Sequence, residues 1–206
     1  MILVVRHGET DWNRNERMQG WAPVPLNDRG REQATELGTY LGDAYEIDRI
    51  VASDLRRAEE TAHSLTEAGE IDVPVSTDSD WRERNLGVYQ GLRLEDVRRE
   101  NPKFALGENA AQAARERPEN GESLRAVADR VTAAFDALPD SGTTLVVTHS
   151  GPIALLLGYA NGQSVGEAIF EHRLENCSIT AFETAGDAES PSIRRMNDTP
   201  WKEADR

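Results

Sequence analysis

The chain is poor in the residues that most often declare a mechanism. One of its 206 residues is cysteine, so Cys177 has no partner for an internal disulfide. Within Cys177-Ser178-Ile179-Thr180-Ala181-Phe182 it reads as a small buried hydrophobe in a predicted strand, in a chain suited to a reducing cytoplasm. Lysine occurs only at Lys103 and Lys202, and neither has the Gly-Lys-Ser/Thr context of a phosphate-binding P-loop. A cysteine phosphatase would need an arginine where Glu183 stands after Cys177. With 37 acidic against 23 basic residues the net charge is −14, which argues against nucleic-acid binding, since that needs a basic face. No apolar run is long enough for a membrane span. The N-terminus lacks the basic and apolar regions of a secretory signal. A cytoplasmic protein with no membrane partner is therefore expected. The histidines show no H-E-x-x-H spacing, so zinc is not expected; no other cofactor is expected either. An acidic, lysine-poor composition of this kind also suits a salt-loaded cytoplasm, and that origin predicts stability that depends on KCl.

What is present fits a globular chain with a polar surface: 38% hydrophobic and 29% charged residues. The length suits one domain, 1–206, with a real core. Residues 1–6 read as a first strand. A helical pattern opens at Asn27-Asp28-Arg29-Gly30 and runs to about Asp43, with Ala34, Leu37 and Leu41 on one face. A strand over 49–53, a helix from Leu55 to Ala68 ended by Gly69, and a short edge strand over 73–76 follow. A helix spans Ser123 to Leu138 and a buried strand 143–148. The next helix starts at Ser150-Gly151-Pro152, with Ser150 as its expected cap. Strands over 176–184 and 191–196 close the chain. Residues 81–121 are the least regular, with a short helical piece near Leu94–Glu100 and a possible lid at about 84–121. Alternating strands and helices predict a three-layer α/β/α sandwich with a mostly parallel central sheet.

Chemistry-bearing residues gather at the edges of these elements. The first strand runs straight into Arg6-His7-Gly8-Glu9-Thr10, with Trp12-Asn13 beyond. In open α/β sheets ligands collect outside the strand ends. There a neutral imidazole can act as nucleophile, and a guanidinium fork can hold a phosphoryl group. Four more pieces follow: Arg17-Met18-Gln19-Gly20; Ser53-Asp54-Leu55-Arg56-Arg57 through Thr61-Ala62; Arg82-Glu83 with Gly87-Val88-Tyr89-Gln90-Gly91; and Thr148-His149-Ser150-Gly151. Each alone has an ordinary explanation, as turn chemistry, a solvated helix arginine or a core histidine. Their joint occurrence in this order is what carries meaning.

Together the five pieces resemble the histidine phosphatase superfamily, specifically its phosphoglycerate mutase-like branch, over residues 2 to about 162. The tail Asn197-Asp198-Thr199 resembles the close of many members. The resemblance implies that His7 accepts the phosphoryl group. It also implies that Arg6, Arg57, His149 and Asn13 surround its oxygens. Gln19, Gly20, Ser150 and Gly151 would line the pocket, and Arg84 would match a substrate-binding arginine of the mutases. Glu83 would protonate the leaving oxygen and then activate water. The acid-phosphatase branch has an aspartate directly after its second histidine; Ser150 stands there here, which favours Glu83 as donor. A phosphoryl group in flight spreads charge over its oxygens, so cationic placement is the expected source of catalysis.

The same constellation serves a phosphatase or a mutase. Leu94 stands where cofactor-dependent mutases carry a lysine, and the stretch before Gly121-Glu122-Ser123 is shorter than theirs; both favour a metal-independent phosphatase acting on a small phosphorylated metabolite. Ala22 and Gln90 replace acids found in many relatives, so specificity stays open. A mutase, an α-ribazole phosphatase and a non-enzymatic phosphate-binding domain are the alternatives. His63 and His172 read as structural or solvated. Trp12 and Trp21 are expected at the pocket mouth or in the core. Capping explains Glu122-Ser123 about as well as function does, and Arg98, Arg99, Arg115 and Arg117 read as a solvated face.

Overall fold

The computed structural model describes residues 1–101, 114–183 and 190–202. In chain order it contains β1 (Ile2–Arg6), α1 (Asp11–Arg14), α2 (Asp28–Ala44), β2 (Arg49–Ala52), α3 (Arg56–Ala68), β3 (Val75–Thr77), α4 (Leu94–Glu100), α5 (Leu124–Asp136), β4 (Thr144–Thr148), α6 (Ser150–Asn161), α7 (Val165–Glu171), β5 (Ile179–Glu183) and β6 (Ser192–Asp198). The strands form one sheet in the order β3-β2-β4-β1-β5-β6. The pairs β3–β2, β2–β4 and β4–β1 are parallel, while β5 and β6 are antiparallel additions.

Alternation along the strands builds the layers, because successive side chains point to opposite faces. Leu3 and Val5 of β1, Leu145 and Val147 of β4, and Ile50 and Ala52 of β2 pack with Leu37 and Leu41 of α2 and Ala58, Ala62 and Leu65 of α3. Ile2, Val4 and Val146 join Val127, Val131 and Phe135 of α5 and Ile153, Leu156 and Leu157 of α6 on the other side. Strands buried on both faces read as continuous apolar runs, as β1 and β4 do. The architecture is the expected α/β/α sandwich.

Boundaries differ locally from the sequence reading. Pro74 lies outside β3, which takes the sheet edge with Val75–Thr77. The strand expected from 176 starts at Ile179; Cys177 sits before it with φ of 54°, fully buried, and burial pushes its thiol pKa up. Ser150 does not cap α6. The cap position belongs to His149, and Ser150 is already within the first turn. Of the expected lid, residues 102–113 lie outside the described residues.

Candidate active site

Strand register brings the first half of the site together. β1 and β4 run parallel with Arg6 opposite Thr148, so His7 and His149 leave adjacent strand ends side by side. His7 N donates to Thr148 O at 2.9 Å, and the two rings lie 5.1 Å apart. β2 is aligned on the other side of β4 with Ala52 opposite Val147. Ser53, the next residue, therefore arrives beneath His149, its Oγ 2.8 Å from His149 Nε2. Ser53 Oγ also accepts from Leu55 N, and His149 Nδ1 is buried without a partner among the described residues.

His7 is fixed in one tautomer. Its Nδ1 lies 2.7 Å from the carbonyl of Gly8, which can only accept, so Nδ1 carries the proton. Arg57 Nε donates to Nε2 at 3.2 Å, so the Nε2 lone pair faces the cavity wall formed by Arg57. The turn after His7 is locked by Gly8 N to Thr61 Oγ1, by Glu9 N to Gln33 Oε1 and by Asn176 Nδ2 to His7 O. It also needs Gly30: α2 passes so close that a Cβ there would collide with the main chain of Glu9.

Arg57, in the first turn of α3, is 1% exposed. Besides His7 it donates to the carbonyls of Gly20 and Ala22. Burial, with Arg6 nearby, lowers its pKa to about 10, partly opposed by Glu83, so it is charged at neutral pH. Arg6 donates to Leu174 O, and its Nε is buried without a partner among the described residues. Burial first, then the positive charge of Arg57 and Arg6, holds both His7 and His149 well below the usual histidine pKa. These effects favour the neutral form of both rings in the free site, and an arriving anion would favour the charged form.

Glu83 comes from a different construction. It lies on an irregular segment after the turn Ser79–Trp81, anchored by the fully buried Trp81, whose carbonyl accepts from Thr148 Oγ1 at 2.6 Å. The carboxylate accepts from Arg84 N and from Gly151 N at the start of α6. The approach is close enough that a Cβ on Gly151 would strike Glu83 Oε1. Arg82 does not face Glu83 as its neighbour in sequence suggests. It forms a two-pronged pair with Asp54 and lies 4.5 Å from the Trp21 ring centroid.

A cavity of about 360 Å³ opens at these strand ends. Of the residues singled out from sequence, Arg6, His7, Asn13, Gln19, Arg57, Glu83, Ser150 and Gly151 line it. His149 lies behind His7 rather than on the wall, and Gly20 contributes its carbonyl to Arg57. Arg84 lines a neighbouring apolar cleft and donates to the carbonyls of Glu122 and Glu116. Asn13 Oδ1 is used within its own turn by Thr10. Trp12 packs near Gly91, and Trp21 Nε1 donates to Glu83 O.

Ile169 of α7 reaches the cavity with no sequence signal. His172, read from sequence as structural or solvated, instead lines the wall and also pairs with Gln163. Ala154 could have been found, since it lies one helical turn beyond Gly151. Arg17 and Leu94 complete the mouth. His63 is exposed on α3, as expected of a solvated residue.

The histidine–arginine cluster thus stands in the crevice outside the strand ends, where open α/β sheets place their ligand sites. The family model of the histidine phosphatase superfamily (branch 1) matches residues 2–199, and the chain belongs to that family. Phosphoglycerate mutase-like protein 4 of Arabidopsis thaliana is 38% identical over 185 residues, covering 88% of this chain and 78% of that protein. Among solved structures, Bacillus stearothermophilus YhfR superposes with a TM-score of 0.84 at 29% identity, covering 96% of each chain. A mycobacterial glucosyl-3-phosphoglycerate phosphatase, solved with VO3, superposes with a TM-score of 0.76 at 31% identity, covering 95% of this chain and 98% of that one.

Proposed function

We propose that the protein is a metal-independent phosphatase that hydrolyses small phosphomonoesters through a phosphohistidine on His7. The observation that carries this reading is the hydrogen bonding of His7: Nδ1–H is spent on Gly8 O, which leaves Nε2 unprotonated, its lone pair accepting from Arg57 Nε until a phosphoryl group takes that place. In the first step Nε2 forms a bond to phosphorus as the bond to the ester oxygen breaks. Arg6 and Arg57, with His149 behind them, stabilise the charge on the phosphoryl oxygens. Glu83 gives its proton to the leaving oxygen. In the second step Glu83 takes a proton from water, whose oxygen displaces Nε2 from phosphorus and releases phosphate. Asn13, Gln19, Ser150 and Gly151 shape the pocket.

Hydrolysis is favoured over return of the phosphoryl group by the wall at the mouth. Leu94, Ala154 and Ile169 make one part of that wall apolar, beside Arg17 and His172, and Leu94 stands where the resemblance places a lysine in the cofactor-dependent mutases. The names of relatives support both a phosphatase and a mutase, so the mutase is the second reading. Purified protein is expected to release phosphate from p-nitrophenyl phosphate, with or without chelator, and His7→Ala to release none. Full activity in His7→Ala overturns the proposal. Interconversion of 3- and 2-phosphoglycerate faster than phosphate release would establish the mutase instead.

A further inference from the structure

Glu83 has a partly buried arrangement behind it that the reaction scheme leaves unused. The segment that carries it, from Asp80 to Asn85, is not a strand of the sheet. Thr148 of β4 holds it at Trp81 O and Trp21 at Glu83 O, and Arg130 of α5 makes the widest set of bonds to it. Its NH1 donates to the carbonyls of Asp80 and Arg82, both at 2.7 Å, and its NH2 to the carbonyl of Glu83 at 3.0 Å. The same guanidinium pairs with both carboxylate oxygens of Glu122 at 3.2 Å. Glu122 Oε2 in turn accepts from Asn85 N at 2.8 Å. One ion pair thus brackets Glu83, gripping residues 80, 82 and 83 on one side and 85 on the other.

The pair is mostly withdrawn from water, with side-chain exposures of 16% for Arg130 and 20% for Glu122. A planar fork with several donors suits three carbonyls and a carboxylate in a way that an ammonium does not. Arg130 does not line the cavity. It grips the main chain of Glu83, while the carboxylate of the same residue is turned toward Gly151 and the pocket.

We propose that Arg130, with Glu122 as its counter-ion, is the positioning residue for the proton donor: it sets where the Glu83 carboxyl group stands relative to the leaving oxygen. The inference rests on the reading of Glu83 as that donor. It has a consequence that a merely structural role lacks. An alkyl ester can break only if its oxygen receives a proton as the P–O electron pair arrives. A p-nitrophenyl ester departs as a stabilised phenolate and needs no proton. Displacing Glu83 therefore slows the first class selectively.

The test measures kcat/KM for p-nitrophenyl phosphate and for glycerol 2-phosphate on the same samples of wild type, Arg130→Ala, Arg130→Lys and Glu83→Gln. A positioned acid contributes about 10²–10⁴-fold, and a small misplacement forfeits part of it. The aryl-to-alkyl ratio is expected to rise about tenfold in Arg130→Ala and less in Arg130→Lys. KM for each ester should stay within about twofold, because no cavity contact is lost. Both rates come from one preparation, so the folded fraction cancels in the ratio, and Arg130→Lys keeps a cation facing Glu122. An unchanged ratio in both Arg130 variants, beside a raised ratio in Glu83→Gln, overturns the positioning role alone. An unchanged ratio in Glu83→Gln overturns the assignment of Glu83 as donor, and the inference with it.

Discussion

The two halves of the site are held by different physics. His7, His149 and Ser53 stand at three neighbouring strand ends, placed by the register of β1, β4 and β2. Their positions follow from the same main-chain ladder that makes the core, so they move only if the sheet moves. Glu83 stands on an irregular segment held by side-chain-to-carbonyl bonds from Arg130, Trp21 and Thr148. The first half is dense with apolar packing beneath it. The second is a set of polar cross-braces, each removable without touching the sheet. On the proposed phosphohistidine reading, a nucleophile fixed by the sheet gains from that division.

The largest effects should come from the rigid half. Arg57→Ala removes a buried cation that also orients His7 Nε2, and should lower kcat/KM for p-nitrophenyl phosphate by about 10²–10³-fold. Arg57→Lys should recover little, because one ammonium cannot serve His7, Gly20 and Ala22 together. Steady-state kinetics on both variants check this. Near-complete rescue by lysine would mean that charge alone matters there and that the guanidinium's bonds to His7, Gly20 and Ala22 do not. Gly30→Ala comes next: its methyl would collide with the main chain of Glu9, so the turn after His7 must shift. A cost of about 1–3 kcal/mol is expected, read by urea unfolding, with activity falling alongside. A variant of wild-type stability would show that this turn has more room than the close passage of α2 implies.

The division also explains what could be read without coordinates. Apolar runs such as Ile2–Val5 and Leu145–Val147 mark central strands by composition alone, and a strand end followed by Arg-His or Thr-His announces where those side chains must emerge. The layers, the parallel sheet and the placement of His7 and His149 were therefore legible. Arg57 was named through the resemblance, since alone it reads as a solvated helix arginine like Arg56. Glu83 could be named only through resemblance, since nothing local distinguishes it from the many other acids. Its brace Arg130, and the wall residues Ile169 and His172, depend on contacts between segments far apart in the chain, and pairing of that kind leaves no periodic trace. Arg82 shows the same limit in reverse: it neighbours Glu83 in sequence, yet its charge is committed to Asp54.

Acid should attack the rigid half selectively. Burial and the arginines depress the folded-state pKa of His7 and His149 below the unfolded value near 6.5. As pH falls below that value the unfolded chain binds protons that the folded site refuses, so stability is fully present above about 6.5 and declines below it. Each histidine contributes a slope of up to about 1.4 kcal/mol per pH unit. His149→Gln removes one of the two, so its unfolding free energy should fall less steeply between pH 6.5 and 5. Urea unfolding at several pH values measures the slopes. Parallel slopes in wild type and variant would show that acid sensitivity arises elsewhere.

The smallest effect tests the braced half at its other end. Ser123 follows Glu122 directly, and its Oγ accepts from Ala126 N to cap α5. If the Gly121-Glu122-Ser123 stretch acts on the site only through Glu122, the serine is a cap and no more. Ser123→Ala should then cost about 1 kcal/mol, visible as a melting temperature lower by about 2–4 °C for a chain of this size. The aryl-to-alkyl ratio should not move, because α5 still delivers Arg130 once folded. A selective loss on alkyl esters without loss of stability would mean that the helix start itself helps place Glu83. The brace would then extend from the Arg130–Glu122 pair into the first turn of α5.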